Sequence, residues 1–117
     1  MNRKLDKILA EISAGELIDK ITILEIKKSK ITKKDKLLEI EKELLSLNVT
    51  LKNFIPDDTK ILQFKNELKH INSKLWDIED GKRLFEKNND FGDKFVELAR
   101  NVYKFNDERA KIKLAIN

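Results

Sequence analysis

Residues 12–31, ISAGELIDKITILEIKKSKI, decide the fold class. Ser13 and Glu16 have the S-x-x-E spacing of a capping box, and Ile12 and Leu17 stand where a hydrophobic staple closes the first turn, so a helix starts at Ala14 and runs to about Ile31. Gly15 is tolerated in that first turn. At about 100° per residue, Leu17, Ile18, Ile21 and Leu24 share one side, while Ile23 and Ile26 lie well round on another. A helix that is apolar on more than one face belongs at the centre of a bundle, and it must bury some of its polar residues as well.

Outward from this stretch the chain continues to read as helix. Upstream, about residues 2–12 place Leu5, Ile8, Leu9 and Ile12 at helical spacing, a short leading helix that depends on tertiary support. Downstream, residues 34–54 carry Leu37, Ile40, Leu44, Leu47, Leu51 and Phe54 at alternating spacings of three and four, a heptad seam. Pro56 ends that helix, because the residue before a proline avoids the helical region. Asp57 or Asp58 caps the next, whose seam runs through Ile61, Phe64, Leu68, Ile71, Leu75 and Ile78 and on to Phe85. Two matching seams across a short turn predict an antiparallel hairpin of these two helices. Asn88, Asn89 and Asp90 break the chain, and Asn89 or Asp90 caps a last helix with Phe91, Phe95, Leu98, Val102, Phe105, Ile112 and Ile116 on one side. The expected fold is all-α: one domain over residues 1–117, an antiparallel bundle of four main helices plus the short N-terminal one, with coiled-coil-like seams.

Composition narrows the function classes. Of 117 residues, 40% are hydrophobic and 39% charged, enough for one core with a heavily charged coat on long elements. With no cysteine there is no disulfide framework and no thiolate ligand, which fits a reducing cytoplasm. No uncharged run approaches the roughly 20 residues that cross a bilayer, so no membrane role is expected. The net charge of +4 comes from lysines mixed with carboxylates. The densest basic stretch, Lys27, Lys28, Lys30, Lys33, Lys34 and Lys36, lacks the arginines and interleaved aromatics that grip nucleic acid, and reads as a helix end and turn. Asn48-Val49-Thr50 spells a glycosylation sequon but lies inside a helical seam.

Motifs for catalysis or metal binding are weak. Glu67 and His70 have the E-x-x-H spacing of di-iron bundles, but those sites need two such motifs and His70 is the sole histidine. Asp90-Phe91-Gly92 spells the kinase magnesium motif without a glycine-rich loop or H-R-D to accompany it. No cofactor, metal or covalent nucleophile is expected, and enzymatic activity is the less favoured reading.

The informative signal is charge on oily faces. Glu25 falls between Ile21 and Ile18 on the main apolar side of its helix, and Arg109 takes the heptad slot between Phe105 and Ile112. An unpaired charge in a core costs several kcal/mol, so the two are expected to pair with each other. A second cluster gathers Trp76, Asp77, Glu79, Asp80 and Arg83, with Glu79, Asp80 and Glu86 all within a turn of the arginine and Gly81 marking a close approach or a bend. A third, Arg100, Tyr103, Asn106 and Asp107, flanks the last seam. Each cluster reads first as a structural hydrogen-bond network and second as an anion site.

Three separated blocks, ISAGELIDKITILEIK (residues 12–27), LWDIEDGKR (75–83) and DFGDKFVELARNVYKFNDERAKIK (90–113), resemble an uncharacterised bacterial family of small helical proteins, a domain of unknown function. The resemblance implies a stand-alone helical protein and assigns no functional residue. Leu17 to Lys28 is also similar to the first long helix of the all-helical chorismate mutases, which clamp a dicarboxylate with arginines and a lysine; here that helix has no arginine, and lysines cannot reproduce the bidentate fork. The preferred reading is therefore a non-catalytic interaction or scaffold protein, a homodimer or the binder of an unidentified protein partner. The alternative is a small-molecule anion binder or chorismate-mutase-like enzyme using Arg83, Arg100 and Arg109 with Asp77, Asp80 or Glu25; the weakest is nucleic-acid binding through the lysine-rich turn.

Overall fold

The computed structural model describes residues 5–117 and is all-α. Four helices follow one another: α1 (Ala14–Lys30), α2 (Lys34–Phe54), α3 (Thr59–Lys87) and α4 (Asp93–Ile116). Their ends obey local chemistry. Ser13 caps α1, its hydroxyl accepting the Glu16 N–H at 3.2 Å, and three lysines in the last turn complement the helix dipole. Ile55 is extended ahead of Pro56, and Asp58 caps α3 by accepting the Ile61 N–H at 2.8 Å. At the next break the cap expected at Asn89 or Asp90 is displaced. Asn89 takes a left-handed conformation (φ 53°), Asp90 accepts the Gly92 N–H at 3.2 Å in an Asx turn, and α4 starts at Asp93 behind Gly92.

The two-faced helix is central, as its pattern predicts. Leu17, Ile21 and Leu24 of α1 form one core with Ile40 and Leu44 of α2, extended by the half-buried Ile31, Leu47, Leu51 and Ile55. Elsewhere α1 packs against both α3 and α4, which form the most extensive helix pair of the molecule. In that pair Gly81 sits where an added Cβ would lie 3.1 Å from the Leu98 side chain, so the close approach expected at Gly81 is to α4.

Two expectations fail. α2 and α3 do not form a hairpin: among the described residues α2 packs only against α1, and the tight antiparallel pair is α3 with α4. A heptad seam requires an apolar partner without naming it, and α1, with a face for each neighbour, separates the two helices. The leading helix is also missing from its described part. Residues 5–13 have no regular secondary structure, with Leu5 84% and Leu9 103% exposed; the remainder of that expected helix, residues 2–4, lies outside the described residues. So short a helix does not hold in water without a surface to pack on.

The resulting body is flat, 48 × 45 × 24 Å. No helix among the described residues is long and apolar enough to cross a membrane.

Candidate functional site

The second face of α1 carries Asp19 and Thr22 beside Ile23 and Ile26. Asp19 is 1% and Thr22 0% exposed, the deepest polar residues among those described. From α4, Arg109 reaches across with a bidentate grip, Nε–H donating to Asp19 Oδ1 at 2.9 Å and Nη2–H to Oδ2. From α3, Asn72 Nδ2 donates one hydrogen to Asp19 Oδ1 and one to Thr22 Oγ1, each at 2.9 Å. The Thr22 hydroxyl in turn donates to the Asp19 backbone carbonyl at 2.7 Å. Three helices are thus tied by one carboxylate that accepts three hydrogen bonds.

One turn earlier on α1, α4 closes still more tightly. Glu16, instead of completing its capping box, forms an ion pair with Lys113, whose Nζ lies 4.0 Å from Asp19 Oδ2. The Gly15 N–H, free by its position in the first turn of α1, donates to Asn117 Oδ1 at 2.7 Å. A Cβ at Gly15 would stand 2.5 Å from the Lys113 carbonyl oxygen, so only glycine permits this backbone approach.

The electrostatics fix both members of the central pair as ions. Burial pushes the Asp19 carboxyl up, but the hydrogen bonds from Arg109 and Asn72 and the charges of Arg109 and Lys113 outweigh it and hold the group below its usual range. The bond to Asp19 raises Arg109 further above its already high value, against the opposing effect of burial.

Beside this lock, between α1, α3 and α4, opens a cleft of about 220 Å³. Ile23, Ile26 and Leu75 form its apolar wall, and Asn72, Trp76, Glu79, Arg83 and Arg109 supply the polar and aromatic lining. Arg109 spends two of its five N–H groups on Asp19, and Nη1 lies 3.5 Å from Asn106 Oδ1. Among the described residues Arg83 is held only by an exposed pair one turn away, Nη1 to Asp80 Oδ1 at 3.1 Å. Glu79 faces Lys82 at 3.5 Å.

The cleft therefore gathers Trp76, Glu79, Arg83 and Arg109 from the sequence-derived candidates, drawing on two clusters that the sequence kept apart. The others lie elsewhere. Asp77, Asp80, Arg100, Asp107 and Tyr103 are on the exposed surface, and Asn106 is at its edge beside Arg109. Of the carboxylates expected round Arg83, only Asp80 pairs with it among the described residues. The pairing of Glu25 with Arg109 is not formed. Glu25 is instead half-buried against α3, its Oε1 sealed from solvent 3.4 Å from Lys65 Nζ, with Oε2 3.8 Å from Lys69 Nζ. Its long side chain carries the charge out of the apolar face to lysines at the rim, whereas the short Asp19 must be met where it stands. The signal for Asp19 was in the sequence: a helix apolar on two sides encloses the short polar residues between them.

The lysine-rich stretch is the end of α1 and the turn into α2, with Lys28 4.0 Å from Glu41, and Glu67 and His70 are both exposed.

No curated protein matches this chain, and neither does any solved structure. One family model does, over residues 8–117, a span that includes the buried lock, the cleft and all four helices. The chain therefore belongs to the family of unknown function DUF6165.

Proposed function

We propose that the protein binds a small organic anion in the cleft between α1, α3 and α4. The observation that carries this reading is that two arginines, Arg83 and Arg109, line one concavity together with Trp76 and aliphatic side chains. A few placed polar groups in a mostly apolar hollow are the ordinary composition of a small-molecule site. The occupant has a flat or apolar body to lie against Trp76 and the isoleucines, and a carboxylate or phosphate to meet Arg83. Exchange is easy for that arginine, because an exposed pair with Asp80 is worth roughly 0–1 kcal/mol. Arg109, anchored from behind by Asp19, offers its remaining donors without having to move.

The chemistry favours binding over catalysis. Asp19 is held ionised and Arg109 held protonated, so neither is poised to exchange a proton near neutrality. A bacterial cytoplasm is the setting that fits a cysteine-free chain of mixed surface charge.

Trp76 is the chain's single tryptophan, which makes its fluorescence a reporter of this cleft alone. Titration with benzoate, and separately with inorganic phosphate, is expected to give a saturable change in Trp76 emission for at least one of them. Arg83→Gln is expected to weaken that response about tenfold or more without changing the helical content. A linear, non-saturating response to both probes, or a response unchanged in Arg83→Gln, removes the proposal.

A further inference from the structure

α2 is built for two neighbours and has one. Ile40, Leu44, Leu47 and Leu51 face α1, yet on the far side of the helix Leu38, Leu45 and Val49 form a second stripe, confined to an arc of about 40°. They are 57%, 69% and 53% exposed. Next to the stripe, between α2 and α3, run two open hollows left by the missing hairpin contact. One, which α1 also lines, is mostly polar, with Glu25, Lys28, Glu41 and Lys69 beside Leu45; the other is lined by Leu51, Ile55, Pro56 and Leu62 together with Asp57, Asp58 and Lys65.

The whole molecule shows the same deficit. Its accessible surface is 9444 Å², against about 6,600 Å² for a compact monomer of this mass. Its radius of gyration is 16.7 Å, against about 13.4 Å for a compact chain of this length. Residues 5–13 contribute to this excess, and so do Leu38, Leu45 and Val49 on the α2 flank. The excess exceeds the roughly 800 Å² per partner that a standard interface covers.

We infer that the α2 stripe is the interface of a homodimer, in which the α2 helices of two copies pack antiparallel about a two-fold axis near Ser46 and Leu47. The stripe fits itself in this register. Leu45 falls beside the partner's Val49, and Glu41 comes opposite the partner's Lys52. Leu38 reaches the hollow at the partner's Ile55–Pro56 turn. An isologous contact needs one patch that is complementary to itself in shape and charge, and both requirements are met within a single helix. A polar or strongly charged partner would leave Leu38, Leu45 and Val49 uncovered. The interface is independent of the anion cleft, which lies between other helices.

The absence of cysteine from the chain makes the test direct. Sedimentation of the full chain over a micromolar to millimolar range is expected to show a reversible dimer. The double variant Leu45→Cys/Val49→Cys is expected to form inter-chain disulfides on mild oxidation, because the two positions meet across the axis. Leu45→Glu is expected to raise the dimer dissociation constant about thirtyfold or more while leaving the far-UV circular dichroism unchanged, since the site is exposed in each copy. A chain that stays monomeric throughout the range overturns the inference. So does a dimer whose affinity Leu45→Glu leaves intact, or a cysteine pair that fails to cross-link within a demonstrated dimer.

Discussion

Arg109 and Arg83 hold the same chemical partner, an aspartate, in opposite ways. Arg109 joins α4 to α1 across 90 residues of sequence, grips Asp19 with two nitrogens, and does so where the carboxylate is sealed from water. Arg83 holds Asp80 three residues away on its own helix, through one nitrogen, with both side chains largely exposed. The comparison separates two uses of one ion pair. A buried carboxylate commits its arginine to the fold, because releasing it strands a charge in the interior; an exposed pair leaves its arginine available to a ligand. The cleft sits between the two, with a fixed floor and a movable rim.

The sharpest way to break this contrast is to remove the fixed partner. Arg109→Ala is expected to destabilise the protein by about 3–5 kcal/mol in urea or guanidinium unfolding, since Asp19 would be left charged and unmatched. A loss below about 1 kcal/mol would mean that Lys113 and Asn72 suffice for Asp19 and that the lock is misjudged. Asp19→Asn is expected to cost less, about 2 kcal/mol at pH 7, because an amide keeps the shape and part of the hydrogen bonding.

Acid sharpens the same point. The folded state holds the Asp19 carboxyl below its ordinary value, so its stabilisation is complete above the unfolded-state pKa of about 4 and drains away as pH falls through the lower folded-state value. The wild-type chain should therefore lose stability more steeply than Asp19→Asn below about pH 4, as read by unfolding midpoints across that range. Parallel curves for the two proteins would show that Asp19 titrates alike in both states.

Gly15→Ala probes the neighbouring contact. The new methyl would collide with the backbone carbonyl of Lys113, and a cost of about 1–3 kcal/mol is expected despite alanine's better helix propensity. A neutral or stabilising result would show that the helix ends part easily. The smallest effect belongs to the rim, where Asp80→Asn should change stability by less than about 0.5 kcal/mol. It should also strengthen the Trp76 fluorescence response to the anion probes, since Arg83 would have no competing carboxylate.

Much of this architecture was legible before the structure. The Ser13 cap, the stop at Pro56, a cap at Asp57 or Asp58 and the central place of α1 follow from spacing and local chemistry, and the structure keeps them, with Asp58 as the cap. Helix pairing was not legible. The seams of α2 and α3 are equally apolar towards any partner, and only the two-sidedness of α1 decides that it comes between them. The candidate site was half legible. Arg109 was marked by its place in a heptad, and Trp76 and Arg83 by their charged surroundings, but the carboxylate that organises them was sought at Glu25. Side-chain length explains the error: a glutamate on an apolar face can reach its edge, as Glu25 does to Lys65 and Lys69, and an aspartate cannot. The stretch with Leu5, Ile8, Leu9 and Ile12 shows the converse limit, a helical pattern whose apolar residues stay exposed and form no helix.

The 90-residue separation of Asp19 from Arg109 also sets a schedule for folding in the cell. On a ribosome adding about 5–20 residues per second, α1 is exposed for roughly 5–18 s before the arginine that neutralises its buried aspartate has been made. Until then the Asp19 carboxylate has no Arg109 to pair with, and its burial is unfavourable. The packing of α1 against α4 therefore follows the synthesis of α4.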